Sequence, residues 1–278
     1  DGRALGRVVE TAAHRYRTPL AFPLMDLRLE KADLLRLLGV PVAICDKFHF
    51  AEAPSEDDLA NIAASMEAPF DHRHQAHIGS VGYIREHTDL LAVGISIGPF
   101  SLMTKLLSDP ITLVAMAGMG LTAAEDPGIL MAERSLTLAE MAVRRSVRAQ
   151  IQAGARAMLI CEPAANRIYL SPKQTASGSD IFEHFVIQPL LRLKQLLISS
   201  NVDLIFHDCG ELTDFMVRQF AERLDPAILS LGSSRRLWED AALLPKNIVL
   251  FGNLPTKSFY SDAAMPMEKV LAITSELL

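Results

Sequence analysis

Short apolar segments alternate with longer helical patterns along most of the chain. The segments have the length and hydrophobicity of buried strands, and they cover residues 20–25, 41–45, 90–97, 157–161, 203–207, 227–231 and 248–251. A strand followed by a helix, repeated many times, predicts a parallel sheet with helices packed outside it. Seven strands suit a doubly wound sheet, or a (β/α)8 barrel whose eighth strand would lie beyond Leu278. We expect one domain over residues 1–278.

Composition and charge narrow the function classes. Half of the 278 residues are hydrophobic and the formal net charge is −6, which argues against a nucleic-acid-binding surface. The three cysteines, Cys45, Cys161 and Cys209, are too scattered for a disulfide framework, so we expect them to be reduced in a cytoplasm. Residues 1–17 are charged throughout, and the apolar runs are too short to span a bilayer. We therefore expect a cytoplasmic protein without a membrane partner.

The segment from Leu204 to Glu211 carries the most specific chemical signal. Its apolar strand ends in His207, Asp208, Cys209 and Gly210. Residues two apart on a strand share a face, so the imidazole and the thiol would project together while the intervening carboxylate points away. Imidazole nitrogen and thiolate sulfur are both good zinc ligands. Taken alone, the pair favours a core histidine and a small buried cysteine over a metal site, and it is the motifs elsewhere in the chain that reverse this preference.

Other polar residues follow predicted strands. Glu162 comes directly after residues 157–161, where barrel enzymes place working side chains, although an exposed loop glutamate is equally compatible with this stretch. The long loop that follows contains Tyr169 and Ser171, and Asn253 follows the last strand. Because the carboxyl ends of barrel strands meet at one rim, we expect one cavity to bring together three groups: Cys161-Glu162, His207-Asp208-Cys209 and Gly252-Asn253.

Two further groups are predicted to be solvated helix faces. The first is the histidine cluster formed by His72, His74 and His77, for which a metal site is the alternative. The second is the arginines of a long helix that begins at Asp126-Pro127, namely Arg134, Arg144, Arg145 and Arg148.

Taken in order, the polar motifs resemble one family. They are Gly98-Pro99-Phe100, Cys161-Glu162-Pro163-Ala164-Ala165, Leu170-Ser171-Pro172, His207-Asp208-Cys209-Gly210 and Gly252-Asn253-Leu254. The chain resembles the uroporphyrinogen decarboxylase superfamily, and within it the zinc-dependent methylcobalamin methyltransferases. The resemblance covers most of the chain from Leu90 onward. It implies a (β/α)8 barrel and favours that fold over the doubly wound sheet.

The resemblance also separates two kinds of enzyme. The decarboxylases hold substrate carboxylates with an Arg-Gln-Ala-Gly-Arg pattern, which the corresponding stretch from Phe22 to Arg28 lacks. The methyltransferases bind zinc through a His-x-Cys pair and a later cysteine. His207 and Cys209 match the first two ligands, and the third is expected beyond Leu278; Cys161 is a substitute only in an unusual geometry.

The function that the resemblance implies is methyl transfer from a methylated corrinoid to a thiol or related small acceptor. The corrinoid would be free methylcobalamin or bound to a corrinoid protein. Glu162 would lie beside the zinc or take its fourth position, while Asn253, Tyr169 and Ser171 would contact the substrate. A metal-free decarboxylase acting on a tetrapyrrole and a non-catalytic corrinoid-binding protein are the alternatives.

Overall fold

The computed structural model describes residues 1–277 and contains a six-stranded parallel sheet. The strands are β1 (Leu20–Ala21), β2 (Leu91–Ile97), β3 (Ala157–Cys161), β4 (Asp203–Asp208), β5 (Ile228–Leu231) and β6 (Val249–Phe251). They pair in sequence order, each with the next, as the right-handed strand–helix–strand repeat requires. Short β1 and β6 form the two edges of the described sheet.

Helices connect the strands. They are α1 (Gly2–Tyr16), α2 (Leu29–Leu37), α3 (Glu56–Ala64), α4 (His72–His87), α5 (Pro99–Leu106), α6 (Pro110–Ala117), α7 (Pro127–Gln152), α8 (Pro172–Ala176), α9 (Gln188–Ser199), α10 (Asp214–Gln219), α11 (Leu237–Leu243) and α12 (Met267–Leu277). Single π-helical turns precede α9 at Glu183–Ile187 and follow α10 at Phe220–Leu224. Side-chain caps define several helix starts; Asp126, for example, accepts two amide hydrogen bonds at the start of α7.

The sheet curls into an incomplete barrel. Phe22 follows β1 and Phe251 ends β6, and their rings stack with centroids 6.5 Å apart, so the two edges approach each other. Side chains that alternate along β2, β3 and β4 fill the interior with a small apolar cluster, which includes Ile95, Leu159 and Ile205. These three residues are register partners on neighbouring strands. The predicted fold class, a (β/α)8-type barrel, is confirmed in this partial form.

The prediction of a strand at residues 41–45 is wrong. Val42–Lys47 is a 3₁₀ helix that lies outside the sheet, because β1 pairs directly with β2 and leaves no position between them. Only Cys45 of this segment is buried, while the Val42 side chain is 82% exposed. The apolar run therefore packs outside the sheet through Cys45 instead of adding another strand to it.

The two predicted solvated faces are also partly wrong. His74 and His77 are buried, since α4 packs against α1, α7 and β2. The His74 Nε2 atom lies 3.0 Å from the Ser146 hydroxyl of α7. Arg145 is buried as well: it forms an ion pair with Asp33, and its guanidinium carbon lies 3.6 Å from the centroid of the Phe70 ring.

Glu30 connects the barrel to this buried polar layer. Its Oε1 atom accepts hydrogen bonds from the hydroxyls of Ser96 on β2, at 2.8 Å, and Ser146 on α7, at 2.9 Å. Its Oε2 atom is buried and has no hydrogen-bond partner among the residues described. Burial raises the pKa of Glu30 to about 7, against the two hydroxyl hydrogen bonds that lower it.

Within residues 1–277 no single helix is long and apolar enough to cross a membrane. Helices α5 and α6 reach the length and hydrophobicity of a membrane span only when they are joined, and they meet at an angle of 118°.

The Glu30→Gln variant should alter how stability depends on pH. A carboxyl whose pKa is raised on folding keeps its proton in the folded state while the unfolded chain loses it, so stability falls as pH rises from about 4.5 to about 7. The wild-type free energy of unfolding should therefore drop relative to the variant by about 1–3 kcal/mol between pH 5 and 7.5. Urea denaturation across this range measures the difference.

The exposed Glu268→Gln variant removes the same charge and should follow the wild type at every pH. If the free energy of unfolding changed with pH by the same amount in wild type and Glu30→Gln, the elevated pKa of Glu30 would be contradicted. Comparing the two proteins at each pH also cancels the opposite contribution of His74, whose pKa burial lowers to about 3.

Candidate functional site

The carboxyl ends of β2 to β5 are joined by backbone hydrogen bonds into one rim. The Gly98 amide donates to the Cys161 carbonyl at 2.7 Å, and the Glu162 amide donates to the His207 carbonyl at 2.9 Å. On the next strand, the Gly232 amide donates to the Asp208 carbonyl at 3.2 Å. The sequence-predicted groups around Glu162 and His207 therefore lie on adjacent strands at the end where barrels place active sites.

Glu162 binds the first turn of α5. Its carboxylate is fully buried; Oε1 accepts the Phe100 amide at 3.0 Å and Oε2 accepts the Ser101 amide at 2.8 Å. Helices begin with unpaired amides and a partial positive charge, and Gly98 at the cap position has no side chain to satisfy them. Glu162 supplies this cap from a neighbouring strand.

The absence of a side chain at Gly98 makes room for this carboxylate. A Cβ atom placed on Gly98 would lie 2.1 Å from the carboxyl carbon of Glu162. The Ser101 hydroxyl accepts the Ala164 amide at 3.0 Å. The segments after β2 and β3 are therefore joined by hydrogen bonds in both directions. Burial raises the pKa of Glu162 to about 7, although the Ser101 and Phe100 hydrogen bonds lower it.

His207 faces the barrel interior, in register with Cys161 on β3 and Ser230 on β5. Its Nδ1 atom lies 2.9 Å from the Ser230 hydroxyl, which fixes the orientation of the ring. Burial lowers the pKa of His207, so the imidazole is neutral at physiological pH. A neutral imidazole with one nitrogen held by the protein leaves Nε2 as the atom able to bind a ligand.

Cys209 is the first residue after β4 and is exposed. Its backbone packs tightly on Gly232, where an added Cβ would lie 2.6 Å from the Cys209 carbonyl oxygen. Although the residue is exposed overall, partial burial of its sulfur and the nearby Asp208 carboxyl raise the pKa of the Cys209 thiol, while Lys257 lowers it. The opposite-facing Asp208 is buried, and its Oδ1 atom accepts the Gly210 amide at 2.7 Å, which shapes the turn beyond Cys209.

Asn253 reaches the same rim through the β5 loop. Its Nδ2 atom donates to the Gly232 carbonyl at 2.8 Å and to the Arg235 carbonyl at 2.7 Å. Since Gly232 packs on Cys209, Asn253 braces the loop behind the thiol. The predicted substrate contacts Tyr169 and Ser171 lie in the β3–α9 connection.

Local structure accounts for the positions of both these residues. The Tyr169 ring packs edge-on against Phe100, with centroids 6.2 Å apart, and Ser171 caps α8 through the Gln174 amide. Their predicted role in substrate binding, like the catalytic role of Glu162 and the substrate contact of Asn253, stays a prediction.

A zinc site in a protein uses three or four protein ligands. His207 and Cys209 provide two suitable donors. No group of three His, Cys, Asp or Glu residues with metal-binding geometry occurs among residues 1–277. Cys161 is buried, and burial raises the pKa of its thiol, which opposes the thiolate form. The third ligand expected beyond Leu278 lies outside the described residues.

The family model for uroporphyrinogen decarboxylase (URO-D) matches residues 34–275. The chain belongs to the uroporphyrinogen decarboxylase family. A search of curated proteins found no match.

Twenty-two chains of solved structures match the fold of this family member. One is a methyltransferase from Methanosarcina mazei, which is 17% identical and superposes with a TM-score of 0.69. The alignment covers 100% of this chain and 76% of that chain. At this identity the likeness shows a shared fold.

Sequence reasoning missed two polar partners at the rim, Ser101 and Ser230. Ser230 lies between Leu229 and Leu231, so a polar residue in an otherwise apolar strand was the available signal. Its meaning depended on the register that places it beside His207. Ser101 lies in the first turn of α5, where a serine commonly caps its own helix, but its hydroxyl accepts the Ala164 amide of the neighbouring loop instead.

Replacing Glu162 should destabilise the protein. Glu162→Ala leaves the Phe100 and Ser101 amides buried without acceptors, which costs about 2–4 kcal/mol in the free energy of unfolding. Glu162→Gln keeps one acceptor but places an NH₂ group against the second amide, so its loss should be intermediate. Guanidinium denaturation at pH 8 measures both, with the exposed Glu86→Ala variant as the control. Equal small effects at both positions would contradict the capping role.

Proposed function

We propose that this chain is a methyltransferase that accepts a methyl group from a methylated corrinoid and passes it to a small thiol acceptor, with zinc bound through His207 and Cys209. The observation that carries the proposal is the arrangement at the end of β4. There, Ser230 holds Nδ1 of a neutral histidine whose Nε2 is left for a ligand, and a cysteine follows two residues later. Membership of the uroporphyrinogen decarboxylase family supports it.

Zinc, when bound, would lower the pKa of an acceptor thiol and keep it as a thiolate at neutral pH. The chain's own residues contribute orientation and proton control. Ser230 fixes the His207 ring, and burial keeps that ring neutral, so the imidazole does not need to lose a proton before binding metal. Because the Cys209 thiol has a raised pKa, metal binding must release its proton, and zinc affinity should increase with pH.

The other rim residues have supporting parts in this proposal. Glu162 fixes the start of α5 through both carboxylate oxygens and holds the His207 strand end through its backbone amide, so it would support the metal site from the neighbouring strand. Asn253 positions the loop behind Cys209, and Tyr169 and Ser171, which lie in the β3–α9 connection, would contact the acceptor. The methyl donor is free methylcobalamin or a corrinoid protein in a cytoplasm.

Zinc content and methyl transfer test the proposal together. The full protein, including the third ligand expected beyond Leu278, should hold about one zinc per chain and transfer methyl groups from methylcobalamin to at least one member of a thiol panel. Cys209→Ala should lose both, with its circular dichroism spectrum unchanged. Cys45→Ala, which removes a cysteine that lies outside the sheet, is the matched control and should keep both.

Zinc-free wild-type protein that still acts on a tetrapyrrole carboxylate would instead identify a metal-free decarboxylase. Protein that binds a corrinoid without turnover would identify a non-catalytic binding protein. Unchanged zinc content and activity in Cys209→Ala would show that Cys209 is an ordinary cysteine.

A separate variant tests the orienting role of Ser230. Ser230→Ala removes the hydrogen bond to Nδ1 without touching a proposed ligand, so zinc affinity should fall about 10–100-fold. Competition with a chromophoric chelator measures the affinity. Ser230→Thr keeps the hydroxyl and should retain most of it. Equal affinities in wild type and Ser230→Ala would contradict the role.

A further inference from the structure

A polar cavity lies among the helices and loops that follow β1 and β2, away from His207. It has a volume of about 420 Å³ and lies between the first half of α2, the 3₁₀ helix Val42–Lys47 and the end of α5. Its charged lining consists of Arg28, Lys31, Lys105 and Asp46. Three cationic side chains thus face one carboxylate, in a chain whose overall charge is negative.

Lys31 is unusual because it is buried, with 7% of its surface exposed. Its Nζ atom donates to the Phe48 carbonyl at 2.9 Å and approaches the Asp46 carbonyl at 3.4 Å. Within residues 1–277 it forms no ion pair. A buried ammonium without a negative partner is costly, and proteins normally pair such a group. Burial, followed by the charge of Lys105, lowers the pKa of Lys31, and the nearby Asp46 carboxylate offsets part of this effect without forming an ion pair.

Lys105 approaches the same cavity from α5. Its Nζ atom donates to the Leu27 carbonyl at 2.9 Å, and it too forms no ion pair in the described part of the chain. The acidic groups whose charges act on it, Glu30 and Asp26, are held by other partners: Glu30 by serine hydroxyls, and Asp26 by Arg28 and Arg73. Lys31 and Lys105 therefore share one cavity in which Asp46 provides the single lining carboxylate among the described residues.

The unused donors define what would fit between them. An ammonium has three N–H groups, so Lys31 has one left after its two carbonyl acceptors and Lys105 has two. Arg28 donates only its Nε–H to Asp26, which leaves its terminal nitrogens free to turn toward the cavity. These are several N–H donors around a space of small-molecule size, and they match an acceptor group with two or three oxygens.

We propose that this cavity binds an oxyanion group, such as a carboxylate or phosphate, of a small molecule, with Lys31 and Lys105 as its ligands. The site goes beyond the proposed methyl transfer and does not depend on zinc or a corrinoid. It follows the carboxyl ends of β1 and β2, and Leu27, whose carbonyl Lys105 binds, packs against the interior cluster of the barrel. A ligand held there lies beside the barrel mouth.

Isothermal titration with two probes, inorganic phosphate and succinate, tests the site and distinguishes the two oxyanion classes. Sodium chloride keeps the ionic strength constant, so that general screening is excluded. Wild-type protein should bind at least one probe saturably. Lys105→Gln should weaken that binding roughly tenfold or more, which corresponds to the loss of a charge-assisted hydrogen bond. Lys105→Arg keeps the charge and should stay within about threefold of the wild type.

Lys47→Gln is the matched control, because Lys47 is an exposed lysine of the neighbouring 3₁₀ helix outside the cavity. It should bind like the wild type. Acetylation of wild-type lysines, followed by mass spectrometry, adds a measurement that needs no variant: the bound probe should protect Lys105 and leave Lys47 reactive.

Absence of saturable binding to both probes would overturn the proposal. Equal weakening in Lys47→Gln and Lys105→Gln would do so as well, since it would indicate general charge attraction. Cys209→Ala should bind the probe normally, so failure of the methyltransferase proposal and failure of this one remain distinguishable.

Discussion

The buried carboxylate of Glu162 organises the rim of this barrel. It satisfies two amides at the start of α5, and its own backbone amide binds the carbonyl of His207 on the next strand. One residue thereby joins three successive strand ends. Gly98 is required because any side chain there would occupy the space of the carboxylate. The cost of burying the charge is offset by the helix terminus, where negative charge is favoured.

The polar side chains of this structure are of two kinds: those whose hydrogen-bonding atoms all have partners, and those that keep an atom without one. Glu162 has an N–H donor on each of its oxygens, whereas His207 has a partner on one ring nitrogen only. The first arrangement stabilises the fold, and the second leaves an atom for a ligand. The same contrast separates Arg145, which forms an ion pair with Asp33, from Lys31, which forms no ion pair with any described residue and binds backbone carbonyls instead. Unsatisfied groups with fixed positions are the places where ligand binding gains most.

Much of the fold was predictable because apolar runs of strand length alternate with helical patterns. The prediction failed at residues 41–45, where five apolar or small residues in a row resemble a strand but have no position in the sheet, since β1 already pairs with β2. His74 and Arg145 were misassigned for a related reason. Polar residues on a helix indicate a solvated face unless tertiary partners such as Ser146 and Asp33 bury them, and those partners are distant in sequence.

The candidate site was predictable to the extent that it follows strand order. His207, Glu162 and Asn253 each end or follow a strand, and the barrel brings those ends to one rim. The hydrogen bond to Ser230 depends on register, and the oxyanion cavity depends on the packing of α2 against α5. Neither is encoded in local pattern, because both arise between segments tens of residues apart.

X-ray absorption at the zinc edge tests the central claim, which is that His207 and Cys209 bind metal together. The zinc-loaded protein should show a nitrogen shell at about 2.0 Å and a sulfur shell at about 2.3 Å, and Cys209→Ala should reduce the sulfur amplitude. A spectrum with only nitrogen and oxygen neighbours, or a sulfur shell unchanged by that substitution, would contradict the assignment of the metal to the end of β4.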